Sequence, residues 1–445
     1  MKVLHITPHL GGGVGQVLRA LLPALNSACH SMELCALEKI DPHSRATLDR
    51  NEIQYSDCLE HSPDIIFDRI SSADVVLVHW WNHPGLLVFF KRNKMPKSRF
   101  IFWSHISGLN PPNGFSETWL QAPEKFIFTT PVSFISPDVV SITTRTRSKF
   151  DVIWSTSGVE KLNNFARPFR ERDLGFVYCG NLDFSKVDCS IFDIAKSLFE
   201  QTLIKTTIIG PVTADFERTH EERDAQVFLN VTGFIPEAEK IDLISRSKVF
   251  LYPLTEGHYG TCDQTIQEAL ALGLPIVAFR NDMEQQMLEA FEGGFLTSCK
   301  KEFIQVSAEL ILDQERLQSL SNSARLYAAK YFSLQTSLSR FFSTFSDIKS
   351  KEKKYLNLVV DEKASPYEVF LESLGFAKGM IEILLEGKKI YNMECLNTQL
   401  IRHKLARKNS WMSPTKSSPF HWSTRYPEDA QLLVLCEELK NYHIE

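Results

Sequence analysis

The stretch from Leu251 to Phe279 admits few folds: Leu-Tyr-Pro-Leu-Thr-Glu-Gly-His-Tyr-Gly-Thr-Cys-Asp-Gln-Thr-Ile-Gln-Glu-Ala-Leu-Ala-Leu-Gly-Leu-Pro-Ile-Val-Ala-Phe. An apolar run, a glycine loop, a short helical period carrying Glu268, a Gly-Leu-Pro turn and a second apolar run make one βαβ unit, and its polar groups gather at one end. In open α/β sheets ligands collect at that end, where helix N-terminal amides bind anions and a carboxylate accepts hydrogen bonds from hydroxyls. The segment suits a phosphorylated sugar or a nucleotide.

The same alternation recurs elsewhere. Lys2 to Thr7 reads as a strand, Gly11-Gly12-Gly13-Val14-Gly15 as a glycine loop and Gln16 to Leu25 as a helix. Further strands are expected at Met32 to Leu37, Val75 to His79, Phe100 to Trp103, Val132 to Ile135 and Asp151 to Trp154. A polar run from Lys161 to Asp173 reads as an interdomain linker. A second series follows at Phe176 to Cys179, Thr206 to Ile209, Phe228 to Thr232, Val249 to Tyr252 and Ile276 to Phe279, then helices from Lys301 to about Phe345. At 445 residues the chain exceeds what one core fills. The expected domains are 1–165, 166–345 and a mostly helical extension, 346–445, with helices at Pro366 to Leu374, Ala377 to Leu385, Met393 to Leu405 and Ala430 to Leu439.

A net charge of -5, with both signs mixed along the chain, disfavours a nucleic-acid partner. Nine scattered cysteines form no Cys-x-x-Cys pair and no zinc spacing, which fits a reducing, cytoplasmic setting. The N-terminus enters a strand directly, so no signal peptide is expected. The most apolar run, Val75 to Phe90, is interrupted by His79, Asn82 and His83 and is too short to span a bilayer.

Several residues are candidates for chemistry. Gly12 and Gly13 permit close backbone approach at a helix start, although the spacing is not that of a dinucleotide fingerprint: the third glycine position is Gln16 counted from Gly11 and Leu18 counted from Gly13. The bland reading is a tight turn. With no Asp-x-Asp in the chain, a diphosphate would be held by amides and cations instead of a carboxylate-bound metal, so no metal site is expected. Lys186, just after a strand, is such a cation, or else a solvated lysine. His105 follows the strand Phe100 to Trp103 and either donates to a sugar hydroxyl or is a satisfied structural histidine; His79 and His83 are less favoured. Asp263 precedes the helix of the opening segment and is either a ligand contact or its N-cap.

In this order the pieces resemble GT-B-fold retaining glycosyltransferases of the large nucleotide-sugar-dependent group, glycosyl transferases group 1, family 4. Gly11 to Gly15 stands where that family has its N-terminal glycine loop, Ser104-His105-Ile106-Ser107-Gly108 where it has a histidine, and Ser157-Gly158-Val159-Glu160 where it has Asn-Gly-Val-Asp. Gly180 to Lys186 is similar to its Gly-Arg-Leu segment with a following lysine. Gln267 to Pro275 is similar to its Leu-Glu-Ala-Met-Ala-x-Gly-x-Pro signature, the most specific of these. Two positions depart: the family's arginine is Asn181, and its first glutamate falls on Gly260, with Asp263 the suggested replacement acid.

The resemblance implies two Rossmann-like parallel-sheet domains facing across a cleft. It implies a donor site in which Glu268 receives the ribose hydroxyls, Lys186 and the amides near Gly12, Gly13, Gly260 and Thr261 hold the diphosphate, and Asn181 lies alongside. His105 would steady the sugar, and the anomeric configuration would be retained without a protein nucleophile, metal or cofactor. The expected activity is sugar transfer from a nucleoside-diphosphate sugar to a glycan or lipid-linked acceptor; an inactive scaffold and a sugar-nucleotide epimerase are the alternatives. The family does not account for the extension. There Arg402, His403, Lys404, Arg407, Lys408, Lys416 and Arg425 interleave with Trp411, Phe420, Trp422 and Tyr426, which suits acidic lipid headgroups at the inner face of the membrane, a glycan acceptor, or a helical bundle with a solvated basic face.

Overall fold

Apolar strands buried on both faces, each followed by a helix, leave parallel pairing as the way to satisfy every backbone group, and the chain does this twice. In the computed structural model, which describes residues 1–445 except 28–29, 257, 259, 380, 382–410, 414–416 and 443–445, one unit comprises Met1–Ser157 with Leu338–Glu445 and the other Gly158–Ser337.

The first unit is built on β1 (Lys2–Thr7), β2 (Ser31–Ala36), β3 (Gln54–Ser56), β4 (Val75–Trp80), β5 (Phe100–Ser104), a small hairpin β6 (Leu109–Asn110) and β7 (Asn113–Gly114), then β8 (Lys125–Phe128) and β9 (Phe150–Val152). Its seven-stranded parallel sheet has the order β3-β2-β1-β4-β5-β8-β9. The second unit carries β10 (Phe176–Cys179), β11 (Thr206–Ile209), β12 (Leu229–Gly233), β13 (Val249–Tyr252), β14 (Ile276–Phe279) and β15 (Gly294–Thr297) in the order β12-β11-β10-β13-β14-β15. Both sheets reverse direction of winding at their centre, between β1 and β4 and between β10 and β13. Ligand crevices of doubly wound sheets open at such points.

Four expectations are corrected. Val132 to Ile135 is not a strand: Pro131 fixes φ and the Thr130 hydroxyl accepts the Val132 amide, closing a 3₁₀ turn over Pro131–Ile135, while the strand is β8. The glycine run is mostly helix, since Gly12–Ser27 is one helix from its first glycine. The run Lys161 to Asp173 is no linker but part of the second unit, which begins at Gly158 instead of 166. Arg172, 4% exposed, donates to the carbonyls of Ser247, Leu272 and Gly273 and to the Ser321 hydroxyl, so its charge is spent on backbone inside that unit.

The fourth concerns the extension, which packs on the first unit. Ser98 and Lys354 exchange backbone hydrogen bonds, Arg92 donates to the Ala364 carbonyl at 3.0 and 2.8 Å, and Lys91 pairs with Glu372 at 2.8 Å. Trp411 and Trp422 are fully buried, and Phe420 and Tyr426 pack against the same core as β4, β5 and β8. The two tryptophans are core, and Phe420 and Tyr426 are half-buried against it, so packing accounts for all four. Arg425 pairs with Glu38 at 2.7 Å and also with Glu60. Arg402, His403, Lys404, Arg407, Lys408 and Lys416, with the helix expected at Met393 to Leu405, lie outside the described residues.

Candidate functional site

The helix Gln264–Ala271 is where the second unit concentrates its polar chemistry. Ile266, Ala269 and Leu270 bury one face and Glu268 falls on the polar side, yet only 4% of Glu268 is exposed. The helix ends where it must: Gly273 takes φ +83, its amide donates to the Leu270 carbonyl, and a Cβ there would sit 2.7 Å from Ser321 Oγ and 2.9 Å from an Arg172 nitrogen. The Gly-Leu-Pro turn is thus dictated by a left-handed cap and by the guanidinium packed on it.

Glu268 does not stand alone. Lys240 Nζ, from the helix Glu237–Arg246, lies 2.9 Å from both carboxylate oxygens. Burial would lower the Lys240 ammonium, but the facing carboxylate outweighs it and holds the lysine above its ordinary value. No motif marked Lys240 in the sequence.

The loops after β10 and β13 meet at the winding reversal. The Thr255 amide donates to the Lys186 carbonyl and the Asp188 amide to that of Pro253, at 2.9 Å each, which sets Lys186 beside the start of the helix carrying Glu268. Lys186 Nζ is 3.6 Å from Asp263 Oδ2, with both side chains 13% exposed. Asp263 occupies the N-cap position but makes no capping bond; its carboxylate instead accepts the Tyr252 hydroxyl. Burial pushes this carboxyl up, while Lys186, His258 and Tyr252 together bring it below the ordinary range. The plain N-cap reading of Asp263 is therefore set aside. Asn181 is exposed at the end of β10, and its carbonyl accepts from the Tyr178 hydroxyl.

Gly260 departs from expectation. Its amide, anticipated as a phosphate ligand, donates to His258 Nδ1 at 2.9 Å and is buried. The close approach explains the glycine, because a Cβ would lie 2.5 Å from the His258 ring. Thr261 follows, half-buried.

In the first unit His105 closes a row of three imidazoles at the carboxyl end of the sheet. His5 Nδ1 is 2.9 Å from His79 Nε2, and His79 Nδ1 is 3.1 Å from His105 Nε2. Burial alone drives His5 and His105 down to about 3 and, with its neighbouring histidines, holds His79 well below its ordinary value. His105 therefore acts as a neutral hydrogen-bonding ring and not as a cation. Gly12 has φ +61, and a Cβ on Gly15 would lie 1.7 Å from the Leu10 carbonyl oxygen, so local backbone accounts for both. Gly13 has neither constraint, and its place in the first turn leaves its amide without a helical acceptor.

Two groups of described residues bring three potential metal ligands within 4.8 Å: His9, Glu38 and His83, and His258, Asp263 and Glu284. In each group a histidine already has a backbone partner on Nδ1. His9 Nδ1 accepts the Gly11 amide as His258 Nδ1 accepts that of Gly260, so each neutral ring carries its proton on Nε2, the nitrogen a metal would need bare. His83, 2% exposed, sets Nε2 3.1 Å from Glu38, whose same oxygen takes Arg425.

Residues 161–327 match the family model for glycosyl transferases group 1. Among solved structures, HepE from Anabaena with UDP and glucose superposes with a TM-score of 0.59 at 14% identity, covering 78% of this chain and 100% of its own. A glycosyltransferase from Rickettsia africae gives 0.61 at 14% identity, covering 79% and 99%. A TarM variant from S. aureus, solved with UDP, fondaparinux and a GlcNAc-glycerol, gives 0.61 at 10% identity, covering 78% and 100%. No curated protein matches the chain by sequence. The chain thus has a GT-B fold, and its segment 161–327, which carries the Glu268 helix, is similar to glycosyl transferases group 1.

Proposed function

We propose that the chain transfers a sugar from a nucleoside-diphosphate sugar to a glycan or other glycoconjugate acceptor, with retention of configuration and with no metal or cofactor at the diphosphate. The observation that carries this reading is Glu268: a nearly buried carboxylate at the carboxyl end of a doubly wound sheet, oriented by Lys240 and lying within the family-matched segment. HepE and TarM, which share the fold, were solved with UDP.

Glu268 would accept the ribose hydroxyls, and Lys186 would exchange Asp263 for the diphosphate. The departing oxygen then meets fixed positive charge, which lowers the barrier to its leaving. A donor oxygen of the diphosphate would take the acceptor proton, so no side chain is assigned as general base. Neutral His105 would serve as a hydrogen-bond partner of a sugar. A ring held near pKa 3 is a poor proton donor at neutral pH, and this counts against the epimerase reading.

The inactive-scaffold reading draws on one observation: Glu268, Lys186 and the Gly260 amide each have a protein partner, respectively Lys240, Asp263 and His258. Release of nucleoside diphosphate in the presence of acceptor separates the two. The proposal expects release by the wild type and its loss in Glu268→Ala and Lys186→Ala variants of unchanged circular dichroism; undiminished turnover in both variants would sink it.

A further inference from the structure

Within the second unit the His258 ring connects a wholly buried carboxylate to a loop amide. Glu284, on the helix Asp282–Leu288, has no exposed surface, and its Oε1 is 2.9 Å from His258 Nε2, itself 2% exposed. On the other side His258 Nδ1 accepts the Gly260 amide at 2.9 Å. The order is carboxylate, imidazole, amide, and it runs from the core to the segment preceding Asp263. Burying a carboxylate is costly, and an apolar side chain of the same volume would serve stability as well or better. This carboxylate must therefore be useful for what it holds.

We propose that Glu284 is a positioning residue of the nucleotide-sugar site, acting through His258 to set the shape of the loop that carries Gly260, Thr261 and Asp263. The inference rests on the reading of the second unit as the donor site. By keeping the His258 proton on Nε2, the Glu284 carboxylate leaves Nδ1 as the acceptor that captures Gly260. The captured amide in turn delivers the chain to the start of the helix Gln264–Ala271, where Asp263 meets Tyr252 and Lys186. A second proton on His258 would turn that acceptor into a donor and break the contact. The charged and titratable groups facing the ring are Glu284, Asp263 and Lys186: burial lowers its proton affinity, the two carboxylates raise it, Lys186 opposes them, and the balance is upward.

The test measures UDP, GDP and ADP affinity by calorimetry between pH 5 and 9 for wild type and Glu284→Gln, with circular dichroism as the control for folding. In Glu284→Gln the tightest-binding nucleotide should bind about tenfold more weakly at pH 8, the loss of one charge-assisted contact. The acid limb of its affinity profile should move to lower pH, because a charge that favours protonated His258 is gone. A merely structural role predicts no movement of that limb. Affinity and acid limb both equal to wild type overturn the inference and leave the donor site standing; a wild type that binds none of the three nucleotides overturns both. Nitrogen-15 spectra of histidine-labelled wild type provide a test independent of any variant: a bare Nδ1 and a protonated Nε2 on His258 support the arrangement, and the opposite tautomer refutes it.

Discussion

Replacing Lys240 by methionine removes one member of the Lys240–Glu268 pair while keeping most of the side-chain volume. Glu268 then retains a charge at a place where its side chain is 6% exposed and the Lys240 side chain 19%. Breaking a buried pair costs about 3–5 kcal/mol, and the partial exposure of Lys240 puts this case near the lower end, about 3 kcal/mol. Converting the stranded carboxylate to an amide should recover part of that, so Lys240→Met with Glu268→Gln is expected about 1–2 kcal/mol more stable than Lys240→Met alone. The pair raises Lys240 above its ordinary 10.5, so its stabilisation is fully present at neutral pH and is lost only as pH rises through the folded-state value. Urea unfolding resolves the effect by unit, because all seven tryptophans belong to the first unit whereas circular dichroism reports both. The dichroism transition should fall while the tryptophan transition stays. A change below about 0.5 kcal/mol in Lys240→Met, the range of a surface substitution, or no recovery in the double variant, would refute the reasoning.

Three further outcomes follow from the same contacts. Arg425→Ala should lower the tryptophan-monitored transition by about 2–4 kcal/mol, since it strands Glu38 and Glu60, and Arg425→Lys should rescue little because one ammonium cannot reproduce the fork. Arg172→Lys should cost the second unit about 2–3 kcal/mol through carbonyls left without donors, visible in dichroism and absent from tryptophan fluorescence. Asp138 is pushed up to about 6 chiefly by burial, against the Phe376 amide it accepts. Its folded value exceeds its unfolded value, so it costs stability as pH rises from about 4 to about 6; Asp138→Asn should flatten that part of the tryptophan-monitored stability profile and leave the remainder unchanged.

The parallel sheets were legible because their strands are short apolar runs bounded by glycine, proline and polar residues, and the helix of Glu268 because its period and Gly-Leu-Pro stop are local. The strands β3 and β15 escaped notice, being an edge of three residues, Gln54–Ser56, and a run that opens on Gly294. What eluded the sequence was partnership. Arg172 fell within a run that reads as a linker and Arg425 within a basic set, since nothing local tells a cation bound for backbone carbonyls or for Glu38 and Glu60 from a solvated one. Lys240 lies 28 residues before Glu268 on the helix preceding β13, and Glu284 26 residues after His258 on the helix following β14, so only the order of the parallel sheet brings each to its partner. The Val132 to Ile135 error has a local cause that was available: Thr130-Pro131 is a turn signal that outweighs the apolar run after it.

Thermal unfolding followed by circular dichroism, against a panel of UDP-, GDP- and ADP-sugars, tests the central claim most directly. A ligand held only by the folded second unit raises that midpoint. A rise with one donor class in the wild type and its absence in Glu268→Ala are expected; no rise with any of the three, or an equal rise in the variant, would overturn the donor-site reading.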